Sequence, residues 1–336
     1  MKVLFHHLTP FALAHGGLQI QIARTREALL ALGVEVEFLR WYDGSQTGDL
    51  LHFFGRIPMS MLGLARQKKM KIVQAELLTE QGSRSRERLR LQRMASRILE
   101  KAAPKLSAGV FGWQSYRLAD ACIALTAYEA QLMSYLFGAP PEKLHVVPNG
   151  VEEVFLQSRA VPRGPWLVCT ATVTERKRIV ELAAAAVRAQ TPLWIVGKAY
   201  TDSDPYAIQF LQLAKQHPKI LRFDGPIDDR SQMAGVYREA RGFVLLSTME
   251  SLSLSALEAA ATECPLLLSD LPWARTVFKE SVSYCPITSN TEQTAAILRR
   301  FYDAAPSLKP PAKPLTWLEV ARQLQALYQS LFNTSR

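Results

Sequence analysis

Short apolar runs, each followed by a longer stretch with helical spacing, recur from one end of the chain to the other. Runs of this kind are strands buried on both faces, and their alternation with helices specifies βαβ units around parallel sheets. The strand candidates of a first series are Val3–Phe5, Val34–Leu39, Leu50–Phe54, Lys71–Val73, Cys122–Leu125 and Leu144–Val147. A second series reads Trp166–Thr170, Leu193–Val196, Leu221–Phe223, Gly242–Leu246 and Pro265–Ser269. Helical spacing runs over Gly17–Leu32 (closed by Gly33), Ile179–Ala189, Tyr206–Gln216, Arg230–Ala240, Ser255–Thr262 and Trp317–Leu331. Between the series, Pro148-Asn149-Gly150, Glu152-Glu153 and Val161–Pro165 mark a boundary. A chain of 336 residues suits two domains of ~150 residues each. The expected divisions are 1–155, 156–312 and a terminal helix within 313–336.

Hydrophobic residues at 48% and charged residues at 21% exclude a disordered or fibrous chain. The net charge of +10 is uneven: from Gln81 to Lys105 eight cations (Arg84, Arg86, Arg88, Arg90, Arg93, Arg97, Lys101 and Lys105) face only Glu87 and Glu100. Leu89, Leu91, Met94, Ile98 and Leu99 run among them, so this segment reads either as a solvated helix face or as a basic amphipathic helix for an anionic membrane surface. Nucleic acid is not expected as a partner, because neither interleaved aromatic positions nor a recognised module is present. Cys122, Cys169, Cys264 and Cys285 lack the close spacing of a zinc site or disulfide framework. They read as reduced thiols of a cytoplasmic protein, and no run reaches the ~20 apolar residues that span a bilayer. His6, His7 and Pro10 break any secretory-type apolar run at the N-terminus.

Three constellations carry chemistry. Glu250 and Glu258 lie between the strand ending at Leu246 and the next helix, at the carboxyl end of a strand, where open α/β sheets bind ligands. Backbone N–H groups of Ser251, Leu252, Ser253 and Leu254 at that helix start suit a diphosphate, and a carboxylate such as Glu258 can accept from both hydroxyls of a ribose. Ser255 and Glu258 equally fit a capping box. Thr172, Arg176 and Lys177 follow the first strand of the second series; fixed cations there can neutralise a leaving diphosphate, though a solvated charge run has the same composition. His15-Gly16-Gly17 opens the first helix, where paired glycines allow backbone to approach a phosphate or sugar, or simply form a turn.

Taken in order, these marks resemble the family 4 (group 1) glycosyltransferases of GT-B fold over nearly the full length. The resemblance also rests on Asp49-Leu-Leu-His52, Ala119–Thr126, Val146-Val-Pro-Asn149-Gly-Val151, the Gly225-Pro-Ile turn and the closing Trp317–Tyr328 helix. It implies two Rossmann-like domains facing each other across a cleft, with the closing helix crossing back to the first. It implies that Lys177 and Arg176 hold the donor diphosphate, Glu258 the ribose, and Glu250 the transferred sugar, while Gly16 and Gly17 close over the donor. His15, His52 and Asn149 become candidates for the acceptor side. The implied reaction is retaining, metal-independent transfer from a nucleotide-diphosphate sugar to an acceptor hydroxyl, with no cofactor beyond the donor itself. Departures from the family pattern are Ser251-Leu252-Ser253 in place of Gly-Phe-Gly, Thr172 in place of an arginine, Phe54 in place of a histidine, and Glu263 in place of a glycine. The alternatives are a non-catalytic nucleotide-sugar-binding protein and a sugar-phosphate synthase or phosphorylase on the same fold.

Overall fold

The computed structural model describes residues 1–12, 16–157, 161–201 and 203–333, with the backbone alone at 105, 107 and 108. They form two compact units, one of residues 1–150 and 315–336, the other of residues 151–314. Each is built on a six-stranded, wholly parallel sheet.

In unit 1 the strands are β1 (Lys2–His6), β2 (Glu35–Phe38), β3 (Leu50–Phe54), β4 (Lys71–Ala75), β5 (Ala121–Ala124) and β6 (Leu144–Val146), in the order β2-β1-β3-β4-β5-β6. The continuous apolar runs have the expected cause: β3 and β5 are buried at every position. Leu51, Phe53, Ile72, Tyr116, Met133 and Phe137 belong to one core that covers a face of this sheet. The first helix, Gly17–Ala31, packs beside the closing helix Trp317–Asn333. That closing helix buries Trp317, Val320, Ala321, Leu324, Leu327 and Tyr328. Its entry is fixed by Gly150, where an added Cβ would lie 2.6 Å from the Trp317 backbone nitrogen.

In unit 2 the strands are β7 (Leu167–Thr170), β8 (Leu193–Val196), β9 (Leu221–Phe223), β10 (Gly242–Leu245), β11 (Leu266–Ser269) and β12 (Ser283–Cys285), in the order β12-β11-β10-β7-β8-β9. The order reverses between β7 and β10, and such a switch point opens the crevice where doubly wound sheets bind ligands. The strand β12 and the helices Pro272–Phe278 and Thr291–Ala304 lie where the apolar pattern is too short or too mixed to single them out. All four cysteines are buried and unbridged. Burial raises the thiols, to about 12 for Cys122, Cys169 and Cys264 and about 11 for Cys285.

Candidate active site

The switch point of unit 2 gathers the two strongest constellations. β7 runs into the loop of Thr172, Arg176 and Lys177, and β10 runs into the loop of Glu250. The two loops are tied to each other: Thr248 N donates to Arg176 O at 2.8 Å, and Arg176 Nη1 donates to Met249 O at 3.0 Å. Glu250 is nearly buried and receives the Lys177 ammonium as a close ion pair, with Arg176 Nη1 at 3.3 Å from the same oxygen. Lys177 is largely enclosed while Arg176 remains 40% exposed, so the two cations differ in their access to solvent. Arg178, the third basic residue, turns away. It holds a left-handed backbone (φ 54°) and donates to Thr288 O, which anchors the loop behind the site.

The helix Leu254–Ala261 carries Glu258 and begins one residue before the sequence pattern places it. Ser253 is the N-cap, its hydroxyl accepting from Ala256 N at 3.3 Å. Ser255 is thus the second helical residue, and the Ser255/Glu258 capping box does not form. Glu258 instead points inward, where it pairs with Arg230 and accepts from the Tyr237 hydroxyl at 3.2 Å. Arg230 also grips Glu152 through two bonds of 2.9 and 3.0 Å. Burial pushes the Glu258 carboxyl up, and Arg230 pulls it back down. Burial, then the neighbouring carboxylate, raises the Tyr237 hydroxyl well above its ordinary value. Ser251, Leu252 and Ser253 are buried rather than open at the helix start. Arg230, Tyr237 and Glu152 escaped the sequence reading because nothing local distinguishes them; their only signal is an Asp229 helix cap beside an arginine.

The first-unit candidates divide. His15 lies outside the described residues. Gly16 precedes the first helix at φ 149°, a conformation that favours glycine, and Gly17 is the helix's first residue. His52 and Asn149 are buried and line one small cavity together with Gln21, Thr25, Phe54 and Trp317. His52 is only 1% exposed, stacks on Phe54 at 4.2 Å, and shares a 2.6 Å hydrogen bond with Tyr328 of the closing helix. Its Nε2 has no hydrogen-bond partner among the described residues, and burial lowers the ring to about 3. His52 and Phe54 thus form part of a seat for the closing helix. Among the described residues no group of three His, Cys, Asp or Glu is placed to hold a metal ion.

Comparison with known proteins bears on the fold and on unit 2. No curated protein matches the sequence. Residues 164–303 match the family model described as Glycosyl transferases group 1. The sucrose-phosphate synthase of Thermosynechococcus elongatus is 18% identical, with a TM-score of 0.68 over 99% of this chain and 100% of that one. Anabaena HepE, solved with UDP, is 14% identical, with a TM-score of 0.64 over 98% and 100%. WaaG, a glycosyltransferase involved in lipopolysaccharide biosynthesis, is 16% identical, with a TM-score of 0.60 over 96% and 94%. The chain thus has the two-unit Rossmann-like fold of the GT-B glycosyltransferases along its whole length, and residues 164–303 match the group 1 glycosyltransferases by sequence.

Proposed function

We propose that the chain is a retaining glycosyltransferase that moves a sugar from a nucleotide-diphosphate donor to an acceptor hydroxyl without a metal ion. The observation that carries this reading is the meeting of Arg176, Lys177 and Glu250 at the unit 2 switch point. When a glycosyl–phosphate bond breaks, negative charge gathers on the leaving diphosphate, and fixed cations in a partly enclosed site stabilise it without reorganisation. Lys177 and Arg176 supply those cations. Glu250 holds them in place and is the carboxylate to which the family resemblance assigns the transferred sugar. Glu258 is set to take the ribose hydroxyls, with Arg230 and Tyr237 fixing its position. HepE was solved with UDP-glucose, which makes UDP-sugars the first donors to test. Four unbridged thiols fit the reducing cytoplasm.

A thermal-shift panel of UDP-, GDP- and ADP-sugars tests donor recognition, since a ligand at 100 times its Kd adds about 2.7 kcal/mol of stability. We expect one nucleotide series to raise Tm; no shift with any donor would overturn the reading. Turnover should persist in EDTA, and the glycoside should keep the donor's anomeric configuration by NMR. Loss of turnover on chelation with recovery in manganese would refute metal independence, and an inverted product would refute retention.

A further inference from the structure

The arginine-rich segment forms one helix, Arg86–Ala102, capped by Ser85, and its polarity is turned inside out. Leu89 and Ser96 are its buried residues, and they fix the side that faces unit 1. Ile98 follows Leu89 by nine residues, which at about 100° per residue puts it on the opposite side. Leu91, Met94 and Ile98 all lie on that outward side, 65%, 60% and 63% exposed. Three large apolar side chains one helical turn apart therefore form a stripe open to solvent. Arg86, Arg90, Arg97 and Lys101 flank the stripe on one side, and Arg88 flanks it on the other. Glu87, also exposed, is the acidic residue of the outward side, at its N-terminal end beside Leu91. Three other charges of the segment turn to the protein: Arg93 lies 4.1 Å over the Tyr135 ring, Arg84 bonds Gln92 at 2.7 Å, and Glu100 pairs with Arg117 at 2.8 Å. Leu106 and Val110, in the turns that follow, are also exposed.

An outward apolar stripe bordered by cations is the surface of a helix lying in the plane of a membrane interface. The geometry points to docking of unit 1 on an anionic lipid surface through helix Arg86–Ala102, with Leu91, Met94 and Ile98 entering the headgroup boundary. The flanking cations meet lipid phosphates, and their number explains the excess charge of this segment. No helix of the described residues is long and apolar enough to cross a membrane, so attachment here is peripheral. A binding protein for nucleic acid would place cations alone on this face, and the apolar stripe has no use there.

The test is sedimentation with vesicles of phosphatidylglycerol and phosphatidylcholine, and with pure phosphatidylcholine, at low and high salt. Three proteins are compared: the wild type, R86Q/R90Q/R97Q, and L91S/M94S/I98S, whose substituted side chains all face outward. The wild type should bind only the anionic vesicles, and high salt should release it. Removing three cations should lower partitioning about 100-fold. The serine variant should bind at least tenfold more weakly, although its charge is unchanged. In addition, M94W should give a blue-shifted emission on anionic vesicles alone. Equal sedimentation of all three proteins, binding to neutral vesicles, or an M94W spectrum unmoved by lipid would overturn the proposal. So would stripe-dependent self-association in the absence of lipid, or a nucleic acid that competes the wild type off vesicles without needing the stripe. None of these readouts requires turnover, so failure here is separable from failure of the proposed reaction.

Discussion

The two units are built on the same kind of sheet, yet their polar centres are opposite in character. In unit 2 the carboxyl edge holds opposed charges: Lys177 and Arg176 on Glu250, and Arg230 on Glu258 and Glu152. In unit 1 the polar centre beneath the closing helix is neutral, with His52 and Asn149 enclosed by Phe54 and Trp317 and His52 tied to that helix through Tyr328, while the charged Glu129 and the Arg56–Glu76 pair lie elsewhere in the unit. Charged groups that pair inside a protein keep partial solvation and can exchange one partner for a ligand of the same sign, whereas a buried neutral imidazole serves only while it stays neutral. On the proposed function unit 2 would exchange such a partner for the donor's diphosphate, while unit 1 is closed at this point by the closing helix.

The contrast can be broken by experiment. The largest effect should come from Tyr328→Ala, which empties a fully buried aromatic site and strips His52 of its partner. A cost of about 3–5 kcal/mol is expected, with hydrogen-exchange protection lost in unit 1. Equal loss across residues 151–314 would show that the units do not hold their stabilities separately. Next, Lys177→Ala should leave both units folded and reduce turnover about 100-fold, equivalent to ~3 kcal/mol of transition-state stabilisation. A folded variant with near-normal turnover would remove the diphosphate assignment.

Acid should separate the units by sign. His52 titrates near 6.5 when unfolded but at about 3 in the native state, so below pH 6.5 the unfolded chain takes up a proton that the native one refuses. Unit 1 then loses about 1.4 kcal/mol for each pH unit down to about 3. The Glu258 carboxyl is raised instead, so its contribution improves as pH falls through its native value towards 4.5. Melts of the wild type and His52→Gln between pH 7 and 5 should diverge, with the wild type falling faster; parallel curves would deny His52 this role. The smallest effect belongs to Glu263, held at φ 62° where the resembling family has glycine. Glu263→Gly relieves the left-handed strain but adds chain entropy, for a net gain of about 0.5 kcal/mol. A loss of stability would mean that its 2.9 Å pair with Lys313 matters more than the backbone.

The parts legible in the sequence are those with local causes. Leu50–Phe54 and Leu193–Val196 are legible to the residue, because a strand buried on both faces is almost wholly apolar and a turn must bound it; Leu221–Phe223, an edge strand with Arg222 exposed, is legible from its place between helix and turn. The loops of Arg176, Lys177 and Glu250 could be placed at carboxyl strand ends for the same reason. Glu258 misleads at short range: Ser255 three residues earlier imitates a cap, while Ser253 takes that role and the glutamate turns to Arg230, 28 residues away. Long-range pairs such as His52 with Tyr328, 276 residues apart, leave no trace in spacing. Helix Arg86–Ala102 was legible in its charge and in its amphipathic character, but not in which leucines face out. That choice belongs to Leu89, which packs into the core while Leu91 does not.

The closing helix has a consequence for how the protein is made. Unit 1 is assembled from two pieces of chain with the whole of unit 2 inserted between them. As the chain leaves the ribosome, its first six strands emerge with the seat for Trp317, Leu324 and Tyr328 still uncovered. Unit 2 follows and has all its residues in hand at once, so it can finish folding although it starts second. Unit 1 must wait, at ~5–20 residues per second, for about 165 further residues before its last helix exists. During that interval the apolar surface around the His52 pocket stays uncovered, and a chain that stalls late would leave a completed unit 2 beside an unfinished unit 1.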